Sequence, residues 1–137
     1  MSHVRFSVNG HDNNDFVLVA LPSYRPGNGS IRSGKAKIQV HGLSCTVDVE
    51  ISRGALVEFA DALQQCALSL HGCFSLESSN KSLVLEGEMA PHGHARVKIQ
   101  ASFVLHRQRD DPQWTVSASF ACPASSLSAT AALLQEV

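Results

Sequence analysis

The sequence predicts an α+β fold: a single antiparallel β-sheet of about 6–8 strands curled over one central helix at about 53–70, with a second, C-terminal helix at about 124–136. Three observations carry this expectation. Apolar and polar residues alternate with a period of two through most of the chain, as they do in strands wet on one face. Between Ser52 and Gly72 the apolar period changes to three and four, as in an amphipathic helix. Short polar turns separate most of the alternating segments, so neighbouring strands are expected to run antiparallel.

Taken in order, Val4, Phe6 and Val8 share one strand face, and residues 9–15 form a polar turn. The following segment, 15–21, is apolar on both faces and is expected to be internal. Residues 22–35 are rich in Pro, Gly and Ser and are expected to form a flexible loop. Ala36, Ile38 and Val40 then alternate in one parity, and Leu43, Cys45, Val47, Val49 and Ile51 in the other. Either a two-residue turn at His41-Gly42 or a bulge in one long strand restores a single apolar face.

In the helix, Leu56, Phe59, Leu63, Cys66 and Leu70 form the apolar stripe. Ser52 is the expected N-cap and Gly72 the expected stop. Four more strand segments follow, at 73–77, 82–89, 95–105 and 114–122, with a polar turn at 107–113. In the tail, Leu127, Ala131 and Leu134 share a weaker helical face, and Ser125 or Ser126 is placed to cap it.

The 137 residues fit one domain, 1–137, with enough chain for a core without disulfides or metal. Apolar residues make up 44% and the formal net charge is −1, which is a poor basis for non-specific binding to nucleic acid or to an anionic membrane. The first residues lack an apolar signal core and no apolar run is long enough to span a bilayer, so the expected compartment is the cytoplasm. Cys45, Cys66, Cys73 and Cys122 are then reduced thiols, and none forms a CxxC pair.

The most chemical stretch is residues 87–100, GEMAPHGHARVKIQ, with His92 and His94 beside Pro91. A hairpin closing at Met89 and Ala95 sets Leu85 opposite Ile99 and Leu83 opposite Ala101. It also sets Glu88 opposite Arg96 and Glu86 opposite Lys98. That single register suits both faces, and opposite charges across a ladder help by roughly 0.2–1 kcal/mol each. A metal would need a third converging ligand, and the other histidines are scattered. The two histidines therefore read as loop-tip side chains, and no metal or cofactor is expected. Cys66 and Cys73 flank His71, but Cys66 lies on the apolar stripe and reads as core. No GxSxG elbow, HExxH motif or phosphate loop is present, so no catalytic residue is assigned.

The run from Val47 to Ile99 has a strand, then an LxxFxxxL helix at Leu56, Phe59 and Leu63. GxFxLES follows at Gly72, Phe74, Leu76, Glu77 and Ser78, then an LxLxG strand, and a Gly-His turn before a basic strand. This pattern resembles bacterial immunity proteins of the WapI type and related small domains, over about residues 43–105 closely and the tail loosely. The resemblance implies a non-catalytic protein. It would bind the toxin domain of a cognate secreted polymorphic toxin, often a nuclease, inside the producing cell, without touching nucleic acid itself.

Such a protein needs only a complementary surface. The candidate contact residues are Asp48, Glu50, Glu86 and Arg96 on the wet side of the sheet, with Thr46 and Lys98, and Asp110 and Asp111 at a loop tip. Two other classes compete. One is a small-ligand-binding domain or enzyme with a pocket between sheet and helix, lined by Phe59, Leu63, Phe74 and Phe103. The other is a secretion-chaperone-like dimer, which would leave the apolar stripe of the helix uncovered.

Overall fold

A computed structural model describes residues 4–11, 14–25, 27–91, 93–104 and 113–134. Its eight strands and two helices run β1 (Val4–Asn9), β2 (Phe16–Arg25), β3 (Asn28–Val40), β4 (Leu43–Ser52), α1 (Arg53–Ser69), β5 (Cys73–Glu77), β6 (Leu83–Ala90), β7 (His94–Val104), β8 (Gln113–Pro123) and α2 (Ala124–Leu134). The fold is α+β and antiparallel, but the strands form two sheets rather than one. One has the order β1-β2-β3-β4 and the other β5-β6-β7-β8. The division falls at α1, whose 17 residues carry the chain from the β4 edge of the first sheet to the β5 edge of the second.

The chain is thus two ββββα units in tandem, and their contacts repeat. Helix α1 packs on β5 and α2 packs on β1, while the two helices pack on each other. Strand β4 approaches β7, and β8 approaches β3. The turns repeat too: Gly10 N–H bonds Asp15 O at 2.7 Å and Ser78 N–H bonds Leu83 O at 2.9 Å, each closing the first hairpin of its unit. The sequence carries no internal repeat to match, because each unit needs only the same alternation and not the same residues.

Buried residues of both sheets and both helices join in one core. At its centre the Phe59 ring lies 5.9 Å from Phe6 of the first sheet and 6.0 Å from Phe74 of the second, centroid to centroid. Both separations suit tilted or edge-on aromatic packing. Phe59, Leu63 and Phe74, named as the lining of a pocket between sheet and helix, are all buried in this core. The Phe103 side chain lies outside the described residues. The α1 stripe that a chaperone-like dimer would leave uncovered is buried at Leu56, Phe59, Leu63 and Cys66, whereas Leu70, expected on the same stripe, is exposed because it caps the helix in a left-handed conformation.

Several local expectations are met. Ser52 caps α1, its Oγ accepting from Ala55 N–H at 3.1 Å. His41 and Gly42, both at positive φ, form the two-residue turn that pairs Val40 with Leu43 and Ile38 with Cys45. The hairpin of β6 and β7 has the expected register, tightened by one further pair, Ala90 with His94.

Two expectations are corrected. The described residues of 22–35 are mostly strand rather than loop: β2 continues to Arg25, β3 starts at Asn28, and a register shift between Ala20 and Ser23 absorbs the irregularity. Gly34 permits this, since a Cβ there would overlap the Ala20 carbonyl. The helix also stops earlier than Gly72. Leu70 is its C-cap, at φ 59° in the left-handed region, with its N–H bonded to Cys66 O at 2.9 Å.

Candidate functional site

The outer face of the second sheet is built in rows, each set by three ladders. One row runs Cys73, Glu88, Arg96, Ala121, and the next runs Ser75, Glu86, Lys98, Ser119. A third runs Glu77, Val84, Gln100, Ser117. Inner positions of the same strands hold Phe74, Leu85, Val97 and Phe120 in the core, so strand parity alone turns every charge of these rows outward.

Helix α1 supplies a wall. Glu58 and Ala62 stand beside the two charged rows and enclose a depression of about 580 Å³, with Gly87 and Phe74 in its floor. A second depression of about 390 Å³ adjoins it, sharing Glu86 and Lys98 and reaching Ser117 and Ser119 on β8. The two form one trough across the sheet. Its side nearer α1 is acidic, with Glu58, Glu86 and Glu88, and its floor beyond is basic, with Arg96 and Lys98.

The charges face one another in register yet do not pair. Among the described residues, neither Glu86 with Lys98 nor Glu88 with Arg96 comes within ion-pair distance. The cross-strand pairing expected from the sequence is therefore present in register and absent as bonds. Exposed charges gain little from pairing in water, so the side chains stay solvated and available.

The expected contact residues do not share one surface. Glu86 and Arg96 line the trough. Asp48 and Glu50 belong to the first sheet, at its β4 edge. Asp48 is paired with Lys35 at 2.7 Å. The backbone there is engaged by the β5–β6 turn: Asn80 Nδ2 and Ser82 Oγ donate to Asp48 O at 3.0 and 2.6 Å, and Ser79 N–H donates to Glu50 O at 2.6 Å. Asp110 and Asp111 lie outside the described residues. Lys98, expected beside Glu86 and Arg96, lines the trough too, and Cys73, Glu58 and Glu88 join the site without having been singled out as contact residues. Outward strand parity for Cys73 and Glu88, and the wet helix face for Glu58, were their signals, and these mark every wet-face residue alike.

Cys66 is buried, and burial pushes its thiol above the usual range, with Cys73 adding in the same direction; it is not poised as a thiolate. His94 meets His11 edge-on at 6.0 Å, while His92 lies outside the described residues. Among the described residues no three His, Cys, Asp or Glu side chains are grouped to hold a metal, and no helix is long and apolar enough to cross a membrane.

Comparison of the chain with models of known protein families, with characterised proteins and with solved structures yields no match.

Proposed function

We propose that this chain is a non-catalytic immunity protein that binds and neutralises the toxin domain of a cognate polymorphic toxin, with the trough of the second sheet as its contact surface. The resemblance in residues 43–105 supplies the class. The observation that carries the site is the unpaired set Glu86, Glu88, Arg96 and Lys98, held in fixed register against the α1 wall. Both signs of charge are presented at fixed spacing on a rigid sheet. Such a surface discriminates between partners by complementarity and sets the speed of encounter, whereas net charge of −1 gives little long-range attraction. A standard interface of about 800 Å² on each partner would extend beyond the trough onto α1 or β8.

The test is titration calorimetry of the purified chain against the toxin domain encoded beside its gene, together with protection of cells expressing that toxin. Arg96→Glu with Lys98→Glu is expected to weaken binding by about a hundredfold, given 2–5 kcal/mol for a disrupted interfacial charge pair. Asp48→Lys, on the other sheet, leaves the affinity unchanged. Failure to protect, or an affinity indifferent to the double reversal, overturns the proposal.

A further inference from the structure

Four strands lie at sheet edges, and three of them are covered. The β4 edge is bonded by Ser79, Asn80 and Ser82. Strand β5 lies against α1 and β1 against α2, where Thr130 Oγ1 donates to Ser7 O at 2.6 Å. Each of these edges also carries charge, Arg5 on β1, Asp48 and Glu50 on β4, and Glu77 on β5, which deters strand addition.

Strand β8 differs on both counts. Its 11 residues, Gln113–Pro123, include no charged side chain. Ala124 N–H bonds Gly93 O at 3.2 Å. Carried along the antiparallel ladder, that phase turns the even-numbered residues of β8 toward β7, so Thr115, Ser117 and Ser119 direct their N–H and C=O groups away from the sheet. Among the described residues no backbone group meets theirs, although the corresponding edge of the first unit is bonded by its neighbouring turn. In the β1–β2 turn, Gly10 abuts Ala121 O at the end of the strand.

We infer that the β8 edge pairs with the β8 edge of a second copy of this chain, antiparallel and centred on Ser117, to give a symmetric dimer with one continuous eight-stranded sheet. The occupant follows from self-complementarity. Across a two-fold axis Ser117 faces its own copy and Thr115 faces Ser119, so about six backbone hydrogen bonds form between groups that are otherwise unpaired. A charged edge would meet like charges in this arrangement, whereas Ser and Thr rows opposite one another are favourable. Pairing would also set two troughs on one sheet face, joined at Ser117 and Ser119. The inference does not depend on the identity of any toxin.

The test is light scattering on the full chain across a range of concentrations, with amide hydrogen exchange on the same samples. The expected mass is twice 14.7 kDa, falling to 14.7 kDa on dilution. The Ser117 and Ser119 amides should be protected in the dimer and lose that protection on dilution. Ser117→Lys places like charges face to face and is expected to abolish the dimer. Ser119→Pro removes an outward N–H that meets no backbone group among the described residues, with the same result and an unchanged circular dichroism spectrum. A monomer at every concentration overturns the inference. So does a dimer that survives Ser117→Lys, or one whose Ser117 and Ser119 amides exchange freely.

Discussion

The ring of Phe74 occupies the place that a side chain would take at Gly87, its cross-strand neighbour: a Cβ built on Gly87 overlaps three atoms of the ring. The glycine leaves room for the phenylalanine ring, which meets Phe59 of α1 edge-on at 6.0 Å between centroids. One missing side chain on β6 thus sets the approach of α1 to the second sheet, and with it the wall of the trough.

Gly87→Ala should therefore destabilise the protein, although alanine is usually harmless in a strand. Overpacking of this kind costs about 1–3 kcal/mol. Urea unfolding checks it, and combining the change with Phe74→Leu should recover much of the loss, because the two effects share one space. Full additivity of the two changes would show that the contact is not the cause.

The helix end offers a change of opposite sign. Leu70 holds a left-handed conformation, φ 59° and ψ 23°, and the residue is 52% exposed. A non-glycine residue there costs about 1–2 kcal/mol, and little packing is lost with the side chain. Leu70→Gly, despite the greater freedom it gives the unfolded chain, should stabilise the protein by about 0.5–1 kcal/mol in thermal or urea unfolding. The conventional reading of the sequence placed the stop at Gly72. Composition marks a residue able to take positive φ, but the helix ends where its hydrogen bonds end, even at a leucine.

What was legible follows the same division between local and distant information. The β6–β7 register was fully legible because one short loop left few alternatives, and both faces voted for the same pairing. The Ser52 cap was legible because its bond spans three residues. The β2–β3 hairpin was not, since Pro22, Gly29 and Gly34 look like loop until Gly34 is seen against the Ala20 carbonyl. Division into two sheets was illegible for a different reason. Alternation fixes which side of a strand is buried, but not whether β4 or β8 continues a sheet or ends it. Only half of the trough could be found for the same reason: Glu86 and Arg96 belong to one hairpin, while Glu58 and Cys73 reach them through α1 and the β5 ladder.

Asn80 tests how the β4 edge is held. Its side chain donates to Asp48 O at 3.0 Å and accepts from Glu50 N–H at 3.4 Å, joining the turn of one sheet to the edge of the other. Asn80→Ala should cost about 1 kcal/mol and speed exchange of the Glu50 amide, with the rest of the first sheet unaffected. It also uncovers a strand edge, so increased self-association at high concentration is expected, tempered by Asp48 and Glu50. An unchanged Glu50 exchange rate would mean that Ser79 and Ser82 secure the edge without it.

Cys122 gives the protein an alkaline limit. Burial pushes its thiol up from 9.0 to about 11, against smaller opposing hydrogen bonds from Ser126 and the Asn9 backbone. The unfolded chain then releases this proton at a lower pH than the folded chain does. Below pH 9 both states are protonated and the stability is fully present; between about 9 and 11 only the unfolded thiol ionises, and stability falls as pH rises. A shift of this size corresponds to a loss of roughly 2–3 kcal/mol by the top of that window. Burial raises Cys45 and Cys66 in the same direction, so the wild-type slope is a sum. The diagnostic measurement is the difference between wild type and Cys122→Ala in urea stability at pH 8 and pH 10.5. The variant should start less stable, from lost packing beside α2, and then lose less as the pH rises. Parallel pH profiles would show that the Cys122 thiol ionises alike in the folded and unfolded chain.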